Sequence, residues 1–164
     1  MMTAMHFRHE MAYAADADTV YAMLSDPAFR ERVAAAQGVV SAEVAVAETA
    51  EGFSLSIDQV QRTDGLPGFA RKFAGDTTRA IVLEEWPDRH GGTLTIDAPG
   101  KPSSIRGTVA LVPSDAGTTE VVELEIKVKV PLIGGKLEGL LEEQVRAGLD
   151  VEHEVGQAWL RGDV

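Results

Sequence analysis

The sequence predicts an α+β fold in which a curved, seven-stranded antiparallel sheet packs against two short helices and one long C-terminal helix. Between residues 39 and 130, apolar residues recur at every second position in short runs separated by turn residues. This pattern is typical of half-buried antiparallel strands. Over residues 136–161 the apolar spacing becomes helical, and a helix of that length can cross a whole sheet.

The N-terminal segment predicts one strand followed by two short helices. Apolar and polar residues alternate near residues 3–13, which indicates the first strand. Asp16 opens a helical stretch, and Asp26 followed by Pro27 opens another with an N-cap residue and a proline at the first helical position. Gly38 stands where a helix would receive a C-terminal glycine cap.

Six further strands are expected, and the last is the most regular. In that strand the apolar residues between Val122 and Val130 alternate with charged residues. A loop that contains Gly65, Pro67 and Gly68 is expected to hold one helical turn near residues 69–73. No linker, internal repeat or low-complexity segment divides the chain, so we expect residues 1–164 to form a single domain.

Composition and charge limit the partners that the protein can have. Hydrophobic residues make up 45% of the chain and charged residues 25%, which is ordinary globular usage. The net charge is -11, with 26 acidic against 15 basic residues, and the sequence has no run of Lys and Arg. Such a surface repels phosphate backbones and anionic lipids, so we expect no nucleic-acid binding and no stable membrane association.

The sequence contains no cysteine, which excludes a disulfide scaffold and a thiolate zinc site. No stretch approaches the roughly 18–20 apolar residues of a membrane span, and residues 1–8 lack the apolar run of a signal peptide. We therefore expect a cytoplasmic location. The sequence leaves the oligomeric state open.

Several local motifs lie at the boundaries of these elements. They are Leu24-Ser25-Asp26-Pro27-Ala28-Phe29, Leu66-Pro67, Phe69-Ala70-Arg71-Lys72-Phe73, Trp86 and Pro131-Leu132-Ile133-Gly134-Gly135-Lys136-Leu137-Glu138. With the order of elements, they resemble the helix-grip fold of the START and birch-pollen-allergen (SRPBCC) superfamily, and more closely its bacterial domain of unknown function 2505. The resemblance covers nearly the whole chain. It implies a cavity between sheet and terminal helix for a lipid, sterol, polyketide or other apolar small molecule, and it implies no catalytic residue.

Two glycines stand where large core residues would be expected. Gly148 falls in the middle of the long helix, and Gly107 shares a strand face with Ile105 and Val109. One interpretation is that they hold space open for a ligand. The other, which we favour, is close backbone packing of the helix on the sheet, or plain tolerance of glycine at these positions.

A few polar residues are candidates for orienting the head of such a ligand. His9 lies on an apolar strand face, and Gln144 precedes Gly148 by one helical turn, although each could instead be a satisfied structural residue. Asp58 and Arg62 share a strand face, where they could act as ligand anchors or form a surface ion pair. Arg71 and Lys72 could meet an anionic head group or be solvated loop charges. The predicted ligand-binding residues are Phe7, His9, Arg62, Leu124, Gln144 and Gly148.

No catalytic or metal-binding motif is present. His9-Glu10 and His153-Glu154 lack the second histidine of a zinc-protease helix, and the sequence has no nucleophile elbow, phosphate loop or dinucleotide fingerprint. Adjacent Glu84 and Glu85 must point to opposite faces of a strand, so they cannot form a carboxylate pair. We predict no catalytic residue, metal or cofactor.

Three classes of function agree with these observations. The first is a binding or carrier module for an apolar small molecule, favoured by the fold and by the lack of catalytic motifs. The second is an enzyme of the polyketide cyclase/aromatase kind, which requires polar groups such as His9 or Arg62 to converge in an accessible cavity. The third is a protein-interaction domain like the chaperone-regulator relatives of the superfamily, which requires a filled core and an exposed apolar patch.

Overall fold

The structure, a computed structural model, describes residues 4–163. Its elements follow the predicted order. The first strand was predicted to begin near residue 3, which lies outside the described residues. In chain order they are strand β1 (Met5–Tyr13), helices α1 (Ala17–Leu24) and α2 (Pro27–Ala36), strands β2 (Ser41–Glu48) and β3 (Phe53–Arg62), helix α3 (Gly68–Ala74), strands β4 (Thr77–Trp86), β5 (Gly91–Asp97), β6 (Ser103–Ser114) and β7 (Gly117–Val128), and helix α4 (Gly134–Leu160).

All seven strands belong to one antiparallel sheet in the order β1-β7-β6-β5-β4-β3-β2. The predicted α+β class and the predicted number of strands are confirmed. Strands β2 to β7 pair in the order of the sequence, through short turns except between β3 and β4, where residues 63–76 contain α3. Strand β1 instead lies at the far edge of the sheet and pairs with β7. Phe7 lies opposite Leu124 in that pairing.

The helix ends follow the residues that the sequence places there. The Asp16 carboxylate accepts a hydrogen bond from the Thr19 backbone N–H (2.8 Å), and Asp26 accepts one from Ala28 (2.9 Å). Helix α4 begins at Gly134, two residues before the predicted start. The Glu138 carboxylate in its first turns accepts a hydrogen bond from the Val128 backbone N–H (2.9 Å), which ties the start of α4 to the end of β7.

Helix α4 does not lie across the middle of the sheet. It packs against β1, β7 and helix α2, where Trp159 meets Phe29 edge to face at a centroid distance of 5.6 Å. Strands β3 to β6 belong to the other side of the curved sheet. The space between them and α4 is not filled by side chains and forms a cavity.

Gly107 allows a close approach between strands. It lies opposite Leu124 in the pairing of β6 with β7, and a Cβ atom at this position would collide with the backbone oxygen of Glu123. Backbone packing therefore explains Gly107, and the alternative interpretation, that it holds space for a ligand, is wrong. None of the described helices is long and apolar enough to cross a membrane.

Candidate functional site

A cavity of about 670 Å³ lies between α4 and strands β3 to β6. This volume is within the range of roughly 300–1,000 Å³ that small-molecule sites occupy. Its walls are mostly apolar side chains from the inner face of the sheet and from α4: Ile57, Val82, Leu94, Ile96, Ile105, Leu141 and Val145. The cavity exists because α4 is seated on one side of the curved sheet and leaves the other side uncovered.

The cavity reaches the surface beside α3 and the middle of α4. Its lining includes the exposed residues Arg62, Asp64 and Phe73 near α3, and Gln144 on α4. A small molecule can therefore enter without unfolding of the sheet.

Three of the six predicted ligand-binding residues line this cavity. Arg62 and Gln144 lie at its opening, and Gly148 lies on its α4 wall. The Gly148 carbonyl accepts a hydrogen bond from the side-chain amide of Gln37 (2.9 Å). A Cβ atom at Gly148 would touch only that amide, at 3.4 Å, so this glycine borders open space and not another backbone.

The other three predicted residues lie outside the cavity lining. Helix α4 packs directly on strands β1 and β7, and we call this contact region the seam. Phe7 and Leu124 are neighbours in the seam, and both are almost completely buried there. His9 lies in the same seam, with Nε2 3.0 Å from an Asp150 carboxylate oxygen and Nδ1 3.3 Å from the Arg146 guanidinium. The structure thus separates Phe7, His9 and Leu124 from Arg62, Gln144 and Gly148.

Asp58 and Arg62 do not form the pair that their shared strand face suggested. Asp58 instead accepts two hydrogen bonds from Arg79 on the adjacent strand, at 2.8 and 2.5 Å, and these bonds lower the pKa of Asp58. Arg62 remains available at the opening of the cavity.

A buried group of charged side chains forms the floor of the cavity. The Arg30 guanidinium lies 3.3 Å from Glu84 Oε1 and 3.4 Å from Glu152 Oε1, and all three side chains line the cavity. Arg30 also donates from Nε to the Leu24 carbonyl (2.7 Å), and the Trp86 indole N–H donates to Glu84 (2.9 Å). Helices α2 and α4 and strand β4 are therefore joined at one buried cation.

A third glutamate, Glu120, lies behind this floor. Burial raises the pKa of Glu120 well above its ordinary value, the charges of Glu152 and Glu84 raise it further, and Arg30 lowers it. Burial also raises the pKa of Glu152, against the effect of Arg30. A hydrogen bond between these two carboxyl groups raises the pKa of Glu120 and lowers that of Glu152, which favours the proton on Glu120.

Glu120 adjoins a second buried group, the hydroxyl of Tyr13. Glu120 Oε1 and the Tyr13 hydroxyl are buried without a hydrogen-bond partner among the described residues. Burial is the main cause that raises the pKa of Tyr13, so its phenol stays protonated. The floor therefore holds two carboxyl groups and one guanidinium, with Glu120 and Tyr13 buried behind it.

The sequence interpretation did not single out this floor, although the residues carried a recognisable pattern. Glu120 occupies the same strand face as Val122, and Glu84 the same face as Trp86, so each is a charged residue on an apolar face. Such a residue is expected to find a buried partner of opposite charge. Arg30, directly after Phe29 on a buried helix face, was the available partner. Among residues 4–163, no group of three or more acidic or histidine side chains is arranged to hold a metal ion.

The curved seven-stranded antiparallel sheet, the long C-terminal helix and the cavity between them define a helix-grip (START-like) fold. Residues 8–160 match the family described as "Protein of unknown function (DUF2505)", and the chain belongs to that family.

Solved structures share the fold at low sequence identity. The chain is similar to TTHA0849 from Thermus thermophilus, with a TM-score of 0.64, 23% identity and coverage of 94% of this chain and 98% of that one. It is also similar to norcoclaurine synthase from Thalictrum flavum, with a TM-score of 0.61, 14% identity and coverage of 96% and 86%. The di-domain ARO/CYC StfQ from the steffimycin biosynthetic pathway gives a TM-score of 0.62 and 13% identity, with coverage of 99% of this chain and 53% of that chain.

Curated relatives occur in mycobacteria. The chain is 27% identical over 112 residues to the uncharacterized proteins Rv0481c of Mycobacterium tuberculosis and Mb0491c of Mycobacterium bovis. The match covers 65% of this chain and 64% of theirs, so it spans just under two thirds of the relatives' length.

Proposed function

We propose that the protein is a binding or carrier module for an apolar small molecule, such as a lipid, sterol or polyketide-like compound, held between the sheet and α4. The observation that carries this proposal is the cavity of about 670 Å³, apolar along its walls and open to the surface. Two structural neighbours, norcoclaurine synthase and the steffimycin-pathway ARO/CYC protein, are named for small-molecule chemistry, which supports the same class of ligand.

The buried floor favours a ligand whose polar end donates hydrogen bonds. Arg30 is the one cation among the described residues of the floor, and it already forms ion pairs with Glu84 and Glu152. The carboxylates outnumber the cation, so the floor offers acceptors that a hydroxyl or amine can use and that a ligand carboxylate would meet with repulsion. We therefore propose that a long-chain alcohol or amine is preferred over the fatty acid of equal length.

Displacement of an apolar fluorescent probe tests both parts of this proposal. Nile red should bind the purified protein, and dodecanol or dodecylamine should displace it at lower concentration than dodecanoate. Replacement of Gly148 with leucine should occupy part of the cavity beside α4 and weaken probe binding. Gly139→Leu is the matched control, because it adds the same side chain to α4 at a position outside the cavity lining.

Each outcome of the displacement experiment is decisive. Probe binding that is equally strong in Gly148→Leu and in the control Gly139→Leu, or that is absent from the parent protein, would contradict binding in this cavity. Stronger displacement by dodecanoate would contradict the assigned polarity of the floor while leaving the cavity itself supported.

An enzyme of the cyclase kind is the second candidate, and one observation favours it. Glu152 lines the cavity with a raised pKa, as a buried acid or base catalyst does. Mass spectrometry of a molecule that copurifies with the protein separates the two functions. A carrier releases that molecule unchanged after incubation, whereas an enzyme converts it, and Glu152→Gln should abolish the conversion while preserving binding.

A further inference from the structure

All five lysines of the chain lie at one end of the molecule. We call them the lysine collar: Lys72 on α3, Lys101 between β5 and β6, Lys127 at the end of β7, Lys129 just after it, and Lys136 in the first turn of α4. Their segments are in direct contact. Lys101 Nζ donates to the Phe73 carbonyl (2.6 Å), the Lys129 backbone N–H donates to the Pro102 carbonyl (2.8 Å), and Lys136 Nζ lies 5.8 Å from the Phe69 ring centroid.

The collar is the region where positive charge is not neutralised. The ion pairs among residues 4–163 all use arginine or histidine, and none includes a lysine. Arg71 on α3 adds a sixth cation beside the collar. Asp64 and Asp76 flank α3, and Glu125 shares the strand face of Lys127, but these three acidic residues are outnumbered by the six cations. The Glu138 carboxylate is buried on the Val128 backbone. This end is positive although the whole chain carries a net charge of -11.

Three large apolar side chains project from the same end. Phe69 and Phe73 on α3 are each more than a third exposed, and Leu132, just before α4, is completely exposed. Leu132 also has a backbone φ of 71°, the only positive φ of a described residue other than glycine. Glycine or asparagine would suit that conformation better, and a polar side chain would suit full exposure better. Neither local geometry nor burial explains a leucine at this position.

We propose that this end of the protein docks reversibly on lipid bilayers that contain anionic phospholipids. The lysine collar contacts the headgroups, and Phe69, Phe73 and Leu132 reach the boundary of the acyl chains. Basic residues that surround exposed aromatic and aliphatic side chains are the combination that binds proteins to such interfaces. Phe73 and Lys101 also line the cavity, so docking would bring its opening to the bilayer surface.

The overall negative charge does not prevent this contact. At physiological salt, charges beyond about 8 Å are largely screened, so the collar determines the local interaction. Each lysine near an anionic surface strengthens partitioning by roughly fivefold, which gives salt-sensitive and reversible attachment instead of stable association. The sequence showed no run of Lys and Arg because the fold assembles the collar from separate segments of the chain.

Vesicle flotation tests the proposal. At low salt the protein should float with vesicles of phosphatidylcholine and phosphatidylglycerol, and much less with phosphatidylcholine alone. The triple variant Lys101→Ala, Lys129→Ala, Lys136→Ala should lose about fivefold in partitioning for each lysine removed. The control variant Arg8→Ala, Arg89→Ala, Arg161→Ala removes the same charge elsewhere and should weaken partitioning less. Equal losses in the two triple variants, or no flotation of the parent protein, would overturn the proposal.

A second variant separates a bilayer from an acidic protein surface. Phe69→Ser with Phe73→Ser should weaken vesicle binding while leaving retention on immobilised polyglutamate unchanged, because only a bilayer accepts the aromatic side chains. Unchanged vesicle binding in this variant would overturn the membrane assignment in favour of an acidic protein partner. Flotation needs no cavity ligand, so it succeeds or fails independently of the proposed ligand binding.

Discussion

The guanidinium of Arg30 on α2 lies 3.3 Å from the carboxylate of Glu84 on β4, and both side chains are almost completely buried. This pair is the link between the helices that cover the sheet and the strands that form the cavity wall. A buried cation of this kind is held only while its acidic neighbours remain charged, because desolvation of an unpaired charge is expensive.

Replacement of Arg30 with methionine should therefore destabilise the protein strongly. The substitution leaves Glu84 and Glu152 buried without their cation, which typically costs about 3–5 kcal/mol. Urea denaturation at neutral pH measures the loss. Combining Arg30→Met with Glu84→Gln and Glu152→Gln should recover part of the stability, since the uncompensated charges are then removed. Arg32→Met, which loses only a contact with the Trp159 ring, should cost about 1 kcal/mol or less.

Glu120→Gln should stabilise the protein increasingly as the pH rises. The pKa of Glu120 is raised in the folded state, so the folded protein binds more protons than the unfolded chain above the ordinary glutamate pKa of about 4.3. Its contribution to stability is thus fully present below that pH and is lost as the pH rises towards the folded pKa. Glutamine has nearly the shape of the uncharged glutamate side chain and cannot ionise, so the variant does not lose stability in this way as the pH rises. The buried neighbours of this position are Glu152, Glu84, Arg30 and Tyr13.

Thermal melts of both proteins between about pH 5 and pH 8 check this expectation. The melting temperature of the variant should exceed that of the parent protein, and the difference should widen with pH. A difference that narrows with rising pH would mean that Glu120 is ionised in the folded protein.

Alanine substitutions at two glycines should have opposite effects on stability. Gly107→Ala places a methyl group against the backbone of β7 and should cost at least the roughly 1–3 kcal/mol of ordinary overpacking. Gly139→Ala meets no atom within 4 Å and should gain about 0.5–1 kcal/mol from helix propensity. Equal effects on the midpoint of urea unfolding would show that β6 and β7 do not approach as closely as described.

Gly148→Leu should leave stability unchanged or raise it by up to about 1 kcal/mol. Helix propensity favours the substitution, and the added side chain enters the cavity, with only the movable Gln37 amide in contact. Differential scanning calorimetry of this variant beside Gly139→Leu measures the difference. A clear drop in melting temperature for Gly148→Leu alone would indicate a core that is already full.

The fold could be predicted from the sequence because each element carries a strong local pattern. The alternation around Val122 identified β7, and Asp26 with Pro27 identified the start of α2. The start of α4 was less certain, since Gly134 and Gly135 are typical of a turn. In the structure they form the first helical turn, where backbone N–H groups need no partner inside the helix.

The candidate site could be predicted only in part, because periodicity assigns a residue to a face and not to a place on that face. The side chains of Phe7 and His9 lie on the inner face of β1, as the pattern indicated, but α4 packs directly on that strand. Arg62 and Gly148 lie where the helix and sheet diverge. Where α4 rests on the sheet depends on packing between distant segments, which no local pattern contains.

The pairing of β1 with β7 determines when the protein can fold. Phe7 acquires its strand neighbour only after Leu124 has been synthesised, so the sheet cannot be completed while the chain is still emerging from the ribosome at β6. Contacts between such distant residues slow folding, towards the millisecond-to-second range that domains rich in non-local strand pairing occupy. Until β7 has been synthesised, the apolar face of the first strand has no strand neighbour, and exposed apolar surface of this kind is prone to aggregation.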